Sequence, residues 1–503
     1  MAQQLQNITV KAPGFAGINT QDSPIGLDTS FAKEADNCII DQFGRIGARK
    51  GTVGIVADNP VKDIDFVFEG TDKAGNVSIV ASDTSGLYTA DNGYAQQGSL
   101  VGGNWKAVNF NDKTYLFKRG QNPVAYDIST SSFTEITSTD IPKANEAIAA
   151  YGRLWAVDTD TDNHTIHWSD LLIGDAWDTQ DTNSSAGTIN LSTVFPNGHD
   201  EVVALAAHND FLFILCKKCI IIYKGASDPT TMSLQDTVIG VGCTARDSVQ
   251  NTGTDVIFLS DTGLRSMGRV VQEKSLPMRD ISKNVRTDLL NDVIGHATNI
   301  SSVYSAKEAF YLLFLPELNK TYCFDMRTAL EDGSQRVTTW SGIKIKDGFV
   351  RRNQDIILAT DKGLFKYTGF LDNGVPYNLR YFTNPMDFGS PSNLKFLRKF
   401  NLTVIGNASA TTTLNWAYDY SKNFDISVFQ NDVEQSPVAE YTSSGTAFEY
   451  IESEYGISVD IHQPTVNASG SGTVATVGIE TLINDASYSI QQMDIHALTG
   501  RLI

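Results

Sequence analysis

Cys216-Lys217-Lys218-Cys219 is the only Cys-x-x-Cys in the chain. Two thiols at that spacing can hold a thiophilic metal, but a zinc site of this kind takes a second pair of ligands at comparable spacing, and none follows. The run around it reads as a strand, where residues three apart point to opposite faces, so a buried or half-buried thiol pair is expected. Asp158, Asp160 and Asp162 alternate like the first acids of a calcium loop. Such a loop needs Gly at its sixth position and a bidentate acid at its twelfth, where this chain has Asn163 and Ser169. An exposed hairpin tip is expected instead. His164 and His167 lack the accompanying Glu of a helical zinc pattern and read as surface or packed residues.

Catalytic signatures are missing as well. The chain has neither a Gly-x-Ser-x-Gly nucleophile elbow nor a Gly-x-x-x-x-Gly-Lys-Ser/Thr phosphate loop. Glycoside hydrolysis needs two carboxylates across a cleft, and among 58 acids no pair stands out. No catalytic residue, metal or cofactor is assigned. Trp105, Trp155, Trp168, Trp177, Trp340 and Trp416 could form a sugar-binding face, but packing between neighbouring sheets is the stronger account. Two small basic clusters, Arg45, Arg49 and Lys50, and Lys395, Arg398 and Lys399, are candidates for docking on an acidic neighbour.

The elements that must carry these residues are almost all strands. The 503 residues include 39 Lys+Arg and 58 Asp+Glu, a net charge of −19, which disfavours binding nucleic acid over a broad face because that takes clustered cations. No apolar run approaches the ~20 residues that span a bilayer. The N-terminus lacks the basic start and apolar stretch of a secretory signal, and five scattered cysteines fit a reducing compartment. Short helices are expected only over Ser30–Asp36 and Ser282–Asp292.

From about Val61 to Gly369, apolar runs of four to seven residues alternate with Gly, Asn, Asp, Ser and Lys turns. Val77–Ala90, Asp255–Met267 and Asp355–Tyr367 each read strand, Ser/Thr-Asp, Gly-Leu, strand. Asp can bond its own backbone two residues on, and Gly accepts positive φ. A second hairpin type runs through Lys106–Lys118, Ala147–Val157, Val203–Leu215 and Ser302–Leu315. Seven hairpins at this spacing predict small antiparallel sheets stacked radially, which leaves only short, protected edges. The prediction is all-β: an irregular β-propeller of six or seven blades over 61–376. Residues 1–60 and 377–503 are expected to form a β-rich platform, the latter carrying longer alternating strands.

Gly14-Phe15-Ala16-Gly17-Ile18-Asn19, Asp22-Ser23-Pro24, Ala35-Asp36-Asn37-Cys38, Asp41-Gln42-Phe43-Gly44-Arg45-Ile46 and Arg49-Lys50-Gly51 resemble the N-terminal signature of a known group. It is the nozzle, or tail tubular protein B, family of short-tailed (podovirus) phage tails. Gly152-Arg153-Leu154-Trp155, Ile166-His167-Trp168-Ser169-Asp170 and Val256–Gly263 are similar to its central region, and Met386-Asp387-Phe388-Gly389-Ser390-Pro391 to the part after the repeats. The resemblance implies a structural virion protein, not an enzyme, assembled in the host cytoplasm as a homohexameric ring. It implies docking on a tail adaptor, contact with tail fibres, and a channel through which DNA is ejected without sequence-specific binding. Some relatives carry long insertions at the tip of the tube, and this chain has none longer than the Asp158–Thr188 region. An acidic lumen would repel phosphate, and −19 fits that as well as it fits simple solubility. The alternatives are a propeller glycosidase or polysaccharide depolymerase, and a monomeric propeller adhesin.

Overall fold

Each of the seven hairpins falls in a different sheet of the computed structural model, six of them small and antiparallel and the seventh, Ser302–Leu315, at one end of a ten-stranded sheet. The described residues are all but 1–3, 57–59, 92, 97–98, 269–279, 297–298, 407–409, 431–459 and 503. Blade 1 comprises Phe66–Thr71, Val77–Ser82, Leu87–Thr89 and Ala95–Gln96, and blade 2 Lys106–Phe110, Lys113–Phe117, Val124–Asp127 and Ser132–Glu135. Blade 3 comprises Ala144–Ala150, Arg153–Thr159, Thr165–Trp168 and Gly187–Asn190, and blade 4 Val202–His208, Phe211–Cys216, Cys219–Lys224 and Ser233–Ile239. The fifth sheet has three strands among the described residues, Gln250–Asn251, Val256–Ser260 and Gly263–Ser266. Blade 6 comprises Ser301–Ser305, Phe310–Leu315, Lys320–Asp325 and Arg336–Ser341. Blade 7 takes Ile345–Val350, Ile356–Thr360 and Gly363–Tyr367 and borrows its outer strand, Thr52–Gly54, from the N-terminal segment. The propeller thus has six four-stranded blades and this three-stranded sheet in the remaining sector.

The apolar runs are continuous rather than alternating because both faces of each blade are covered. In blade 4, Leu212 and Ile214 pack with Trp155 and Ile166 of blade 3, while Phe213 and Leu215 pack with Val256 and Phe258 of the fifth sheet. In blade 7, Ile356 and Leu358 meet Phe310 and Leu312 of blade 6, while Ile357 and Ala359 meet Val67 and Ile79 of blade 1. Similar seams join blades 1 and 2, blades 2 and 3, and the fifth sheet to blade 6. The circle closes. Period-two side-chain alternation sends successive residues of one strand into two different cores. At the turns, Gly263 and Gly363 have φ of +119° and +133°, where a β-carbon would strain the backbone.

The platform is a pair of packed sheets. One contains Gln4–Lys11, Cys38–Ile40, Ile46–Ala48, Asn393–Gly406, Asp460–His462, Thr465–Asn467 and Tyr488–Leu502. The other is continuous with blade 6: beyond Arg336–Ser341 it adds Gly17–Ile18, Phe31–Asp36, Tyr377–Thr383, Ala475–Ile483, Thr411–Tyr418 and Asp425–Gln430, ten strands in all. Phe15, Leu379, Tyr381, Phe400, Trp416 and Ile495 belong to the core between them.

Three expectations shift. The segment expected as a helix over Ser30–Asp36 is the strand Phe31–Asp36, because pairing with Tyr377–Thr383 and burial of Ala32 and Ala35 override alanine's helical preference. The second helix is present as a 3₁₀ turn, Lys283–Val285, leading into the α-helix Arg286–Val293, with Val285, Leu289 and Val293 buried. Thr52–Gly54, expected in the platform, is a strand of the propeller. Among the described residues no helix is long and apolar enough to cross a membrane.

Candidate functional site

The first strands of the blades surround the propeller axis, and their side chains meet there. Phe68, Lys106, Asp247, Gln250, Tyr304 and Phe349 line part of a cavity of about 290 Å³. At one end lies a knot of charges. Lys106 Nζ is 3.1 Å from Glu146 Oε2 and 3.4 Å from Asp247 Oδ1. Arg246 grips Asp247 through Nε at 3.0 Å and Nη2 at 2.6 Å, and donates from Nη1 to the Asn145 carbonyl at 2.7 Å. Asp347 accepts from Ser301 Oγ at 2.6 Å and from the Val67 amide at 2.9 Å. Blades 1, 2, 3, 6 and 7 and the segment leading into the fifth sheet all contribute.

Burial and pairing set the protonation there. Burial pushes the Glu146 carboxyl up to about 7 against the pull of Lys106, and pushes Asp347 up to about 6. Burial also works against Asp247, but Arg246 and Lys106 outweigh it and hold that carboxyl below the usual range. Two raised carboxylates close to the axis, Asp347 on the cavity wall and Glu146 behind Lys106, are the electrostatic pattern of an acid–base pair. Glu146, however, is 1% exposed and faces Lys106, so it cannot touch a substrate. Both Asp347 oxygens are occupied by the neighbouring blades. The arrangement ties blades together around the axis. Charged residues inside apolar strands, Lys106 and Glu146, were the sequence signal for it.

The basic residues singled out for docking separate into two groups. Arg49 is fully buried, forms a two-point ion pair with Asp372 at 2.8 and 2.6 Å, donates from Nε to Asn37 Oδ1 at 2.8 Å, and lies 4.1 Å from the Tyr377 ring centre. Lys395 is buried too, donating to the carbonyls of Ser390 and Thr473. These two staple the fold and offer no docking surface on this chain, because their charges are already satisfied inside it. Arg45 lies 4.1 Å over the Phe43 ring beside Asp41, and half-buried Lys50 pairs with Glu308. Arg398 and Lys399 are exposed.

The other candidates do not converge. Asp158 accepts from Asn145 Nδ2 at 2.9 Å, while Asp162 accepts the amides of His164 and Thr165 at 2.8 and 3.1 Å. His167 is half-buried, and burial pushes its imidazole down. All six tryptophans are buried, each donating its indole N–H to a backbone carbonyl. They are therefore packing groups. Cys216 and Cys219 are both buried on the same side of their hairpin, since a two-residue turn lies between them and reverses the strand. Strand alternation does not apply across a turn, so the opposite-face expectation fails.

No family model and no curated protein matches the chain. Among solved structures it is similar to the extracellular domain of a one-component system from B. thetaiotaomicron, with a TM-score of 0.40 and 12% identity over 64% of this chain and 40% of that one. The β-propeller domain of Cps50 (Swd1) from Myceliophteria thermophila gives 0.39 and 8% identity over 64% and 99%. BamB from Moraxella catarrhalis gives 0.38 and 12% identity over 72% and 97%.

Proposed function

We propose that this chain is a structural subunit of a short-tailed phage tail nozzle, six copies of which close a ring that docks on a tail adaptor and encloses the DNA ejection channel. The observation that carries the reading is the ten-stranded sheet running from blade 6 into the platform. A continuous hydrogen-bonded sheet fixes the propeller rigidly to the platform, as a ring subunit that bears load across a docking face requires. Two of the residues behind the family resemblance, Gly17 and Asn37, sit at this joint. Gly17 has φ of +79°, and a β-carbon there would come within 2.4 Å of the Val337 carbonyl oxygen. Asn37 accepts from Arg49 and donates to the Asn378 carbonyl at 2.9 Å.

Two further features support a ring. The axis of the single propeller is crossed by paired charges, which leaves DNA to pass between subunits rather than through one. Among the described residues Asp425–Gln430 is the last strand of its sheet and exposes Ile426 at 62% and Val428 at 60%, an apolar edge suited to a head-to-tail contact. Electron microscopy of the protein mixed with its tail adaptor tests the proposal: six-fold annular particles are expected. Release of new reducing ends from host surface polysaccharide, without rings, would instead support the depolymerase reading.

A further inference from the structure

Cys216 and Cys219 flank the turn Lys217-Lys218 between the second and third strands of blade 4. The two sulfurs and a carboxylate oxygen of Asp200 all lie within 4.8 Å of one another. Among the described residues this is the one such gathering of potential metal ligands. We propose that Asp200, Cys216 and Cys219 form a binding site for a thiophilic divalent cation, zinc by its chemistry, which clamps the blade 4 turn.

The site is built before any ion arrives. Cys216, Cys219 and Asp200 are 0%, 1% and 8% exposed. The Asp200 carboxylate is oriented by two backbone donors, the Glu201 amide to Oδ1 at 2.8 Å and the Lys218 amide to Oδ2 at 3.0 Å. Each oxygen keeps a lone pair for a metal, and donors of this kind are what orient the ligands of known sites. The second of them comes from the turn that carries the thiols, so carboxylate and sulfurs are positioned by one piece of backbone.

Two sulfurs and one oxygen select zinc-like ions over calcium or magnesium, which take oxygen alone. Tetrahedral zinc with Zn–S bonds of about 2.3 Å would place its two sulfurs about 3.8 Å apart, inside the observed limit. Three protein ligands leave the fourth position for water, reached from the Asp200 side, the most exposed of the three. The charge also balances. Binding a dication with release of two thiol protons leaves the net charge of the buried site unchanged, so no new charge is buried. Cys243 lies close by, its amide bonding the Cys216 carbonyl at 2.8 Å, but its thiol donates to the Ala245 carbonyl at 3.2 Å.

The test is a cobalt(II) titration of the reduced, metal-stripped full chain. One equivalent per chain is expected, with thiolate-to-cobalt absorption in the near ultraviolet that zinc then bleaches. Cys216→Ser and Cys219→Ser should abolish the band, Asp200→Asn should weaken binding at least tenfold, and Cys323→Ser, a buried thiol elsewhere, should change nothing. If a serine variant misfolds, alkylation of the wild type in urea at its unfolding midpoint decides, since the fully folded protein keeps all five thiols buried: zinc should protect two of the five from maleimide. Absence of the band, a band that survives in Cys216→Ser or Cys219→Ser, or equal alkylation with and without zinc would overturn the site.

Discussion

Replacing Asp372 with alanine should loosen the joint between platform and propeller more than replacing its fully buried partner does. Arg49 is 0% exposed, and its side chain bonds Asp372 twice, Asn37 and the Lys50 carbonyl. Removing one member of a buried ion pair costs about 3–5 kcal/mol, because the remaining charge is stranded in a low-dielectric site. The Asp372 side chain is 18% exposed, so water can enter and part of that cost is relieved, leaving roughly 2–3 kcal/mol. At 1.36 kcal/mol per decade, that is about a 30- to 150-fold rise in the open population. The affected strand should be Thr52–Gly54, since the Thr52 amide bonds the Leu371 carbonyl and the Asn373 amide bonds the Thr52 carbonyl. Arg49→Met removes the buried charge itself, fills similar volume and leaves Asp372 in contact with water, so its cost should be smaller. Native-state amide hydrogen exchange is the assay. Asp372→Ala should accelerate exchange in Thr52–Gly54 and in Gly363–Tyr367, with blade 4 unchanged. Uniform acceleration, or Arg49→Met proving more disruptive than Asp372→Ala, would refute the reasoning.

The axial carboxylates predict a pH dependence. Glu146 and Asp347 are raised in the fold from ordinary values of 4.5 and 3.8 to about 7 and about 6. Their stabilising contribution is therefore full below the unfolded values and is lost as pH rises through about 6 to 7. Urea midpoints should fall between about pH 5 and pH 8 more steeply in the wild type than in Glu146→Gln/Asp347→Asn, and parallel slopes would count against the assignment. Gly17→Ala should cost about 2 kcal/mol more than Gly240→Ala, as read from urea unfolding. Both positions have positive φ, +79° and +83°, but only the first β-carbon meets backbone, whereas the second finds open space. Arg398→Glu/Lys399→Glu should weaken attachment to an acidic adaptor face in pull-down at low salt without shifting the melting temperature, and undiminished attachment would remove these residues from the docking face.

The hairpins and the apolar runs were legible because they are local. Val256–Ser260 or Phe310–Leu315 declares itself a doubly covered strand by composition, and Gly263 and Gly363 by the turn they permit. Period-two geometry then carries such strands into two cores at once, so radial stacking follows without knowledge of distant residues. Five of the six tryptophans were equally readable, since a large ring among such strands has few places to go but a seam between blades, whereas Trp416 packs in the platform core.

What tertiary structure alone decided depends on partners far away in the chain. Phe31–Asp36 is a strand only because Tyr377–Thr383 is there to pair with it, and Thr52–Gly54 closes a blade whose other strands begin at Ile345. Arg49 looked like a docking cation until Asp372, more than three hundred residues on, took its charge inside. Cys216 and Cys219 looked like a strand pair facing apart until the turn folded them together beside Asp200. Sequence spacing fixes which face of a regular element a residue occupies. Whether a charge is buried, or two thiols converge, is set by how the chain reverses and by what long-range pairing brings alongside.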